Sequence, residues 1–204
     1  AGVKSQLLNR RLGVNFVVYH HKRKNTVIAI DDPGFPPGVN LIGANNADVK
    51  TDGAELEINA VPIEGLNINT NIGYVDATFS SFSALINNVE IDLSGNQIPL
   101  IYKWTASAQA IYRHQVPGME NLNMFYYALY TLKTKGYLND INTEKSPTLH
   151  RMSVKLGVES ETWRLIGYID NLFDKVDIAY QNPREQFRLY TPGRTYGMQF
   201  VKNF

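Results

Sequence analysis

In the segment Leu66-Asn67-Ile68-Asn69-Thr70-Asn71-Ile72-Gly73-Tyr74, the residues Leu, Ile, Thr and Tyr alternate with Asn and Gly. This pattern has a period of two, which is the period at which side chains change faces along a β-strand. One face of such a strand is suited to hydrocarbon and the other to a polar environment. The segment therefore predicts a strand between two different solvents.

The same period recurs along the whole chain. We predict eight strands, at roughly 10–24, 49–62, 65–81, 104–117, 121–135, 148–160, 162–178 and 194–204, with a partial strand at 1–6. Several exceed the ~5–6 residues usual in soluble sheets and reach the ~9–11 needed to cross a bilayer. No segment approaches the ~20 consecutive apolar residues of a membrane helix. The pattern predicts an all-β protein, an antiparallel up-and-down transmembrane β-barrel.

The predicted connections alternate between short and long. Short ones fall near 9–10, 62–65, 117–121 and 160–162, and long ones at about 31–46, 82–103, 136–147 and 180–193. Outer-membrane barrels have short periplasmic turns and longer extracellular loops. The alternation therefore predicts that strand 10–24 runs outward and that the last strand ends at the periplasmic side.

The composition is consistent with this location. The formal net charge of +1 gives no reason to expect nucleic acid as a partner, and the absence of cysteine suits an oxidising compartment. The 12 tyrosines are of a type that collects at membrane interfaces. We expect aromatic belts formed by Trp163 and Phe204 on the periplasmic side and by Tyr74, Phe79, Tyr102 and Trp104 on the outer side. For Phe35, Tyr102 and Tyr190 the alternative is stacking on sugars in the loops.

Four segments carry a family resemblance. They are Gly2-Val3-Lys4-Ser5 followed by Asn9-Arg10-Arg11-Leu12; Asp92-Leu93-Ser94-Gly95-Asn96-Gln97-Ile98-Pro99 followed by Trp104; Asp170-Asn171-Leu172-Phe173-Asp174-Lys175; and Pro192-Gly193-Arg194-Thr195-Tyr196-Gly197 with the terminal Phe204. Together and in this order they resemble the C-terminal barrel of TonB-dependent receptors, the ligand-gated importers of the outer membrane. The sequence departs from that pattern at Lys202, where the family usually has a hydrophobic residue, and at Ile101-Tyr102, where it has a proline.

The resemblance implies an organisation larger than this chain. Receptors of the family have a 22-stranded barrel and an N-terminal plug that TonB engages. We therefore expect residues 1–204 to be one architectural unit, the C-terminal eight or nine strands of such a barrel, with the plug and the N-terminal strands absent. By the same resemblance, the barrel-assembly machinery recognises the terminal aromatic residue, here Phe204.

The resemblance also implies a function. The parent protein would import a scarce, bulky nutrient across the Gram-negative outer membrane, a ferric siderophore first of all, or cobalamin or an oligosaccharide. TonB would deliver the energy through the plug, and outer-membrane lipid and lipopolysaccharide would surround the barrel. Two alternatives remain at this point: a passive porin and a soluble all-β carbohydrate-binding module.

The residues give little reason to expect an enzyme. Glu55 and Glu57 share one face about 6.5–7 Å apart, a spacing that overlaps that of inverting glycosidases. A hydrated lumen would leave both ionised, so we predict a polar wall facing the plug instead of a catalytic pair. His20 and His21 point to opposite faces and cannot share a metal without a bulge. The Asp170, Asp174 and Asp177 set lacks the glycine turn of a calcium loop. The sequence thus predicts neither metal nor cofactor.

A basic cluster lies near the outer end of the first full strand. Lys22, Arg23 and Lys24 fall where lipopolysaccharide phosphates would be found, and cationic side chains pair with phosphate. The sequence predicts a lipopolysaccharide contact at these three residues. The alternative is an ordinary solvated loop base.

Overall fold

The computed structural model describes residues 1–28, 45–86, 89–182 and 187–202. It contains one nine-stranded sheet and two small hairpins. The strands of the sheet are β1 (Gly2–Leu7), β2 (Leu12–Ile28), β3 (Asn45–Ala60), β4 (Leu66–Ser81), β7 (Trp104–Val116), β8 (Met119–Lys133), β9 (Leu149–Glu159), β10 (Trp163–Asp170) and β13 (Thr195–Lys202). The hairpins are β5 (Ser83–Ile86) with β6 (Val89–Asp92), and β11 (Ile178–Asn182) with β12 (Phe187–Tyr190).

The sheet is antiparallel throughout and follows the chain order. Each long strand pairs with the next, in the order β1-β2-β3-β4-β7-β8-β9-β10-β13, so the topology is up-and-down. Its two edge strands, β1 and β13, do not pair with each other, which makes it an open section of wall. The part of the chain that the structure describes contains strands and no helices. The predicted fold class is confirmed.

Within the described ranges, no helix has the length and apolar character needed to cross a membrane.

The registers align apolar residues into rows across the wall. One row crosses all nine strands and consists of Leu7, Leu12, Ala60, Ile68, Ala110, Ala128, Val154, Ile169 and Tyr196. Because the side-chain period is two, a single register slip would move a whole strand's apolar set to the other face. The alternating sequence pattern therefore disfavours any pairing that is shifted by one residue.

The turns at one end of the sheet are short. The β1–β2 turn has three consecutive residues with positive φ, Leu8, Asn9 and Arg10, and the turns before β4 and β8 use Gly65 and Gly118, each with a φ of 78°. At Gly65 a Cβ atom would lie 2.0 Å from the carbonyl oxygen of Arg113, so the close approach requires glycine. The predicted alternation of short turns and long connections holds for the connections that the structure describes.

One predicted strand is too long. The segment expected as strand at 162–178 ends at Asp170, because Asn171 turns the chain with a φ of 53°. The remaining residues lead into the β11–β12 hairpin, which begins at Ile178 and extends into the connection predicted at 180–193. The connection predicted at 82–103 likewise contains the β5–β6 hairpin.

The buried apolar cluster lies at the outer end of the wall, beside the β5–β6 hairpin. Its members are Ala47, Phe79, Phe82, Ala84 and Leu93, and Ile28, Val49, Ile91 and Ile98 pack against it. The Phe79 and Phe82 rings are 4.7 Å apart between centroids. The hairpin is thus held to the wall by burial of apolar surface.

Candidate functional site

A row of polar residues crosses one face of the wall. It runs through seven strands and consists of Lys4, Asn15, Glu57, Asn71, Ser107, Thr131 and Arg151. The next row along the strands points to the other face and consists of Val3, Phe16, Leu56, Ile72, Ala106, Leu132 and His150. Adjacent rows with opposite character identify a polar face and an apolar face, which we call the lumen face and the lipid face.

Glu57 is the centre of a hydrogen-bond network on the lumen face. Its Oε2 accepts a 2.8 Å bond from Asn15 Nδ2 across the β2–β3 pair, and its Oε1 accepts a 3.0 Å bond from Asn59 Nδ2. Glu55 lies two residues away on the same face, where the sequence predicted a polar wall and not a catalytic pair. Two amide donors on one carboxylate make this part of the lumen face a hydrogen-bonded polar surface.

A second carboxylate is fixed at the opposite end of the lumen face, near the short turns. Glu159 accepts from Arg113 Nε at 2.8 Å and pairs with Arg164 Nε at 3.0 Å. The Arg113 guanidinium also lies 4.8 Å from the centroid of the Phe125 ring. Two arginines on one carboxylate give this group of three residues a net charge of +1.

The β5–β6 hairpin covers the outer end of the lumen face. Phe79 and Val49 point to the same face as Asn71 and Glu57, because they lie an even number of residues away in regular strands. The hairpin packs on Phe79, so it bends over the lumen and not toward the lipid. Hydrogen bonds from the hydroxyl and the backbone N–H of Ser94 hold the pKa of Asp92, at the base of this hairpin, below its usual value.

The connection after this hairpin interlocks with the β8–β9 connection. The Asn142 side chain accepts from Gln97 N at 2.7 Å and donates to Gln97 O at 2.8 Å, as a neighbouring strand would. Asn96 Nδ2 donates to Asp140 O at 2.9 Å, and Leu100 N to the Tyr137 carbonyl at 2.8 Å. We call residues 82–103 and 134–148 together the collar.

The connection between β10 and β13 contacts the collar through an ion pair. Arg188 of β12 lies 3.3 Å from Glu144. The outer side of the wall therefore carries connections that contact one another in sequence, an arrangement suited to holding a ligand between preformed surfaces.

The last two strands are tied together at their outer ends. Asn171 Nδ2 donates to the carbonyl oxygens of Lys175 at 2.8 Å and Pro192 at 3.1 Å. Asp174 Oδ1 accepts from Arg194 N at 2.7 Å. We call this set of contacts the staple. It joins two of the segments that carry the family resemblance, which lie about 20 residues apart in the chain.

Comparison with protein families gives one match over most of the chain. The family model described as TonB dependent receptor-like, beta-barrel, matches residues 1–172. The chain belongs to this family. The receptor wall described above is therefore the family's barrel, and the resemblance predicted from the four segments is confirmed.

Solved structures of receptors share the fold over nearly the whole chain. The ferric yersiniabactin uptake receptor FyuA from Yersinia pestis superposes with a TM-score of 0.77 at 16% identity, covering 100% of this chain and 29% of that one. The siderophore receptor PiuA from Acinetobacter baumannii gives 0.73 at 22% identity, with 98% and 27% covered. BauA, the ferric preacinetobactin receptor from Acinetobacter baumannii, gives 0.72 at 17% identity, with 98% and 28% covered. The chain thus spans less than a third of the length of these receptors.

The residues of the predicted basic cluster do not all lie on the same face of the wall. Lys22 points to the lipid face and Arg23 to the lumen face, because they are consecutive in a regular strand. Lys24 begins an irregularity of register between Arg23 and Thr26. Phe204 lies outside the described residues.

Part of the predicted outer aromatic belt is wrong. Tyr74 and Trp104 are cross-strand partners on the lipid face with ring centroids 4.8 Å apart, as a belt requires. Phe79 is only 1% exposed and lies in the cluster under the hairpin. Tyr102 lies beneath Lys133, 5.4 Å from its Nζ, and Lys133 belongs to the lumen face. Trp163, at the opposite end, stacks on Phe200.

The other predicted chemistry candidates are not brought together. His20 and His21 point to opposite faces, and His20 contacts Asp52 instead. The Asp174 carboxylate belongs to the staple, and the backbone carbonyl oxygen of Asp177 accepts a hydrogen bond from Thr191 N. Among the described residues no group of three or more His, Asp or Glu could hold a metal ion.

Proposed function

We propose that the protein containing this chain is an active transporter of the outer membrane, which imports a scarce, bulky nutrient with energy delivered through TonB. Adjacent rows of opposite polarity across the wall carry the proposal, because they give it lipid as solvent on one face and water on the other. The ligand class that we propose first is a ferric siderophore, with cobalamin and oligosaccharides behind it. By their names, one similar structure is a siderophore receptor and two are receptors for the ferric ligands ferric yersiniabactin and ferric preacinetobactin, which supports that order.

The proposal assigns no covalent chemistry to the wall. Glu57 and its amide donors form a polar surface for the plug, and the collar forms the outer binding rim. The plug would belong to the rest of the receptor and would connect it to TonB.

Uptake by living cells tests the energy source. In a strain that lacks the receptor, the full-length protein should restore uptake of a radiolabelled ferric siderophore and growth under iron limitation. Both should disappear in a strain without TonB, or when the proton motive force is dissipated. Uptake that persists without TonB would favour the passive porin.

The soluble alternative has its own test. A carbohydrate-binding module would be purified as a monodisperse protein without detergent. A wall with an apolar row across nine strands should require detergent or lipid instead.

We further propose that Phe204 is the residue recognised by the barrel-assembly machinery. Deleting Phe204 from the full-length receptor should lower the amount assembled in the outer membrane several-fold, measured by heat-modifiable migration in electrophoresis. Deleting one of residues 183–186 is the matched control, because it shortens the chain equally away from Phe204, and it should leave assembly unchanged. Equal loss in both variants would count against a specific terminal signal.

A further inference from the structure

A charged surface lies on the lipid face directly above the Tyr74–Trp104 pair. The row of Tyr74 and Trp104 also contains Val18 and Ala54. The next row outward, about 7 Å further along the strands, contains His20, Asp52 and Asp76. The row after that contains Lys22, Lys50 and Thr78. The lipid face thus changes from apolar to charged immediately beyond its aromatic residues.

The two carboxylates on this surface are already matched by lysines. Asp52 pairs with Lys50 Nζ at 2.8 Å and contacts His20 Nδ1 at 2.5 Å. Asp76 pairs with Lys103 Nζ at 3.0 Å. All five side chains are between about a third and a half exposed, so they face the surroundings of the wall.

One cation is left over. Lys22 is the direct cross-strand partner of Lys50, and like charges directly opposite each other destabilise a sheet. Lys22 forms no ion pair with any residue in the described ranges. Among the lysines and aspartates of this surface, three lysines against two aspartates leave a charge of +1. An anion between Lys22 and Lys50 would remove the repulsion.

We propose that Lys22 and Lys50 bind the phosphate group of an outer-leaflet lipid, the lipid A of lipopolysaccharide. This inference rests on the proposed function, because only a wall in the outer membrane presents its lipid face to that leaflet. Lipid phosphates lie at the boundary where hydrocarbon ends, which is the level that Tyr74 and Trp104 indicate. Lysine ammonium groups near a membrane surface are attracted to such phosphates. Neutralised Asp52 and Asp76 do not repel them.

The site differs from the cluster that the sequence predicted. Arg23 is excluded, since it points into the lumen, and Lys50 from the neighbouring strand takes its place. Arg23 therefore provides a matched control: its replacement removes the same charge, from the next residue of the same strand, on the opposite face.

Lipid retention by the full-length receptor tests the proposal. The receptor is purified in mild detergent from outer membranes, and lipid A per barrel is quantified by mass spectrometry. We expect Lys22→Gln to lower retained lipid A about five-fold, the effect of about one surface lysine near anionic lipid. Arg23→Gln should leave it unchanged. An unchanged value for Lys22→Gln, or an equal loss in Arg23→Gln, would overturn the proposal.

Thermal stability with and without lipid separates the possible ligands. In detergent without lipopolysaccharide, Lys22→Gln should be at least as stable as wild type, because it removes the repulsion from Lys50. Added lipid A should stabilise the wild type more than the variant, whereas inorganic phosphate at millimolar concentration should stabilise neither. Stabilisation by inorganic phosphate equal to that by lipid A would assign the site to free phosphate and overturn the lipid assignment.

Failure of this inference and failure of the proposed function give different results. If the wild-type receptor is found in the outer membrane by heat-modifiable migration and Lys22→Gln retains full lipid A, only the lipid site is wrong. If the wild-type receptor is absent from the outer membrane, the proposed function is wrong, and the lipid site that depends on it is wrong as well.

Discussion

Replacing Phe79 with alanine should release the β5–β6 hairpin from the wall. Phe79 is 1% exposed and packs on Phe82, and truncating a buried phenylalanine costs about 3–5 kcal/mol. The hairpin has only four residues in each strand, and an isolated two-stranded hairpin is marginally stable in water. Its own hydrogen bonds are therefore too weak to keep it ordered once the contact with Phe79 is lost. The nine-stranded wall is held together by its own backbone hydrogen bonds and should remain intact.

Proteolysis of the receptor on intact cells measures this release. We expect Phe79→Ala to be cleaved within residues 82–93 at least ten times faster than wild type, while the barrel keeps its heat-modifiable migration. Leu85→Ala is the control on the same hairpin, because Leu85 is 60% exposed and makes no part of the cluster. Equal cleavage of the two variants would show that Phe79 does not hold the hairpin.

The position of Phe79 shows where sequence reasoning reached its limit. Alternation places Phe79 on the lumen face, as it does Asn71, so its face was available from the sequence. The burial of Phe79 could not be predicted, because Phe82 and Leu93, which cover it, belong to a connection without the alternating pattern of a strand. An aromatic residue near the end of a strand suggests an interfacial belt. The belt residue Tyr74, however, lies on the opposite face of β4 from Phe79.

The basic cluster shows the same limit for a binding surface. Lys22, Arg23 and Lys24 are adjacent in sequence, and alternation alone separates Lys22 from Arg23. The pairing of Lys22 with Lys50 requires the register of β2 on β3, which includes a bulge and spans a connection of 16 residues from 29 to 44. Long-range register across such a connection is set by the whole sheet and not by local sequence.

The strands themselves were predictable because the two solvents impose the pattern residue by residue. Where that constraint ends, so does the prediction: the strand expected to reach residue 178 stops at Asp170. Val176 and Ile178 alternate with Lys175 and Asp177, which is the period of a strand, although they are out of phase with Leu165 and Ile169 of β10. The turn at Asn171 depends on side-chain hydrogen bonds to the carbonyl oxygens of Lys175 and Pro192, and Pro192 is 21 residues away.

Those hydrogen bonds make Asn171 the residue whose loss should most affect the closing strands of the wall. Asn171 is 1% exposed, and its amide satisfies the carbonyl oxygens of Lys175 and Pro192. Alanine would remove the amide donor from both oxygens, leaving the Pro192 oxygen with the 3.2 Å bond from Arg151 Nη2. It would also have to adopt a φ of 53°, a left-handed conformation that costs about 1–2 kcal/mol. We expect Asn171→Ala to lower the free energy of unfolding by about 3 kcal/mol.

Glycine separates the two contributions at this position. Asn171→Gly adopts the same φ without strain but loses the same hydrogen bonds, so it should cost about 2 kcal/mol. Urea unfolding of the full-length receptor in lipid vesicles, followed by tryptophan fluorescence, gives these differences. Asn67→Ala is the control, because Asn67 is exposed on the lumen face and its loss should change stability by less than about 0.5 kcal/mol. If Asn171→Gly matched the wild type while Asn171→Ala did not, backbone strain would explain the effect, and the staple would not tie β10 to β13.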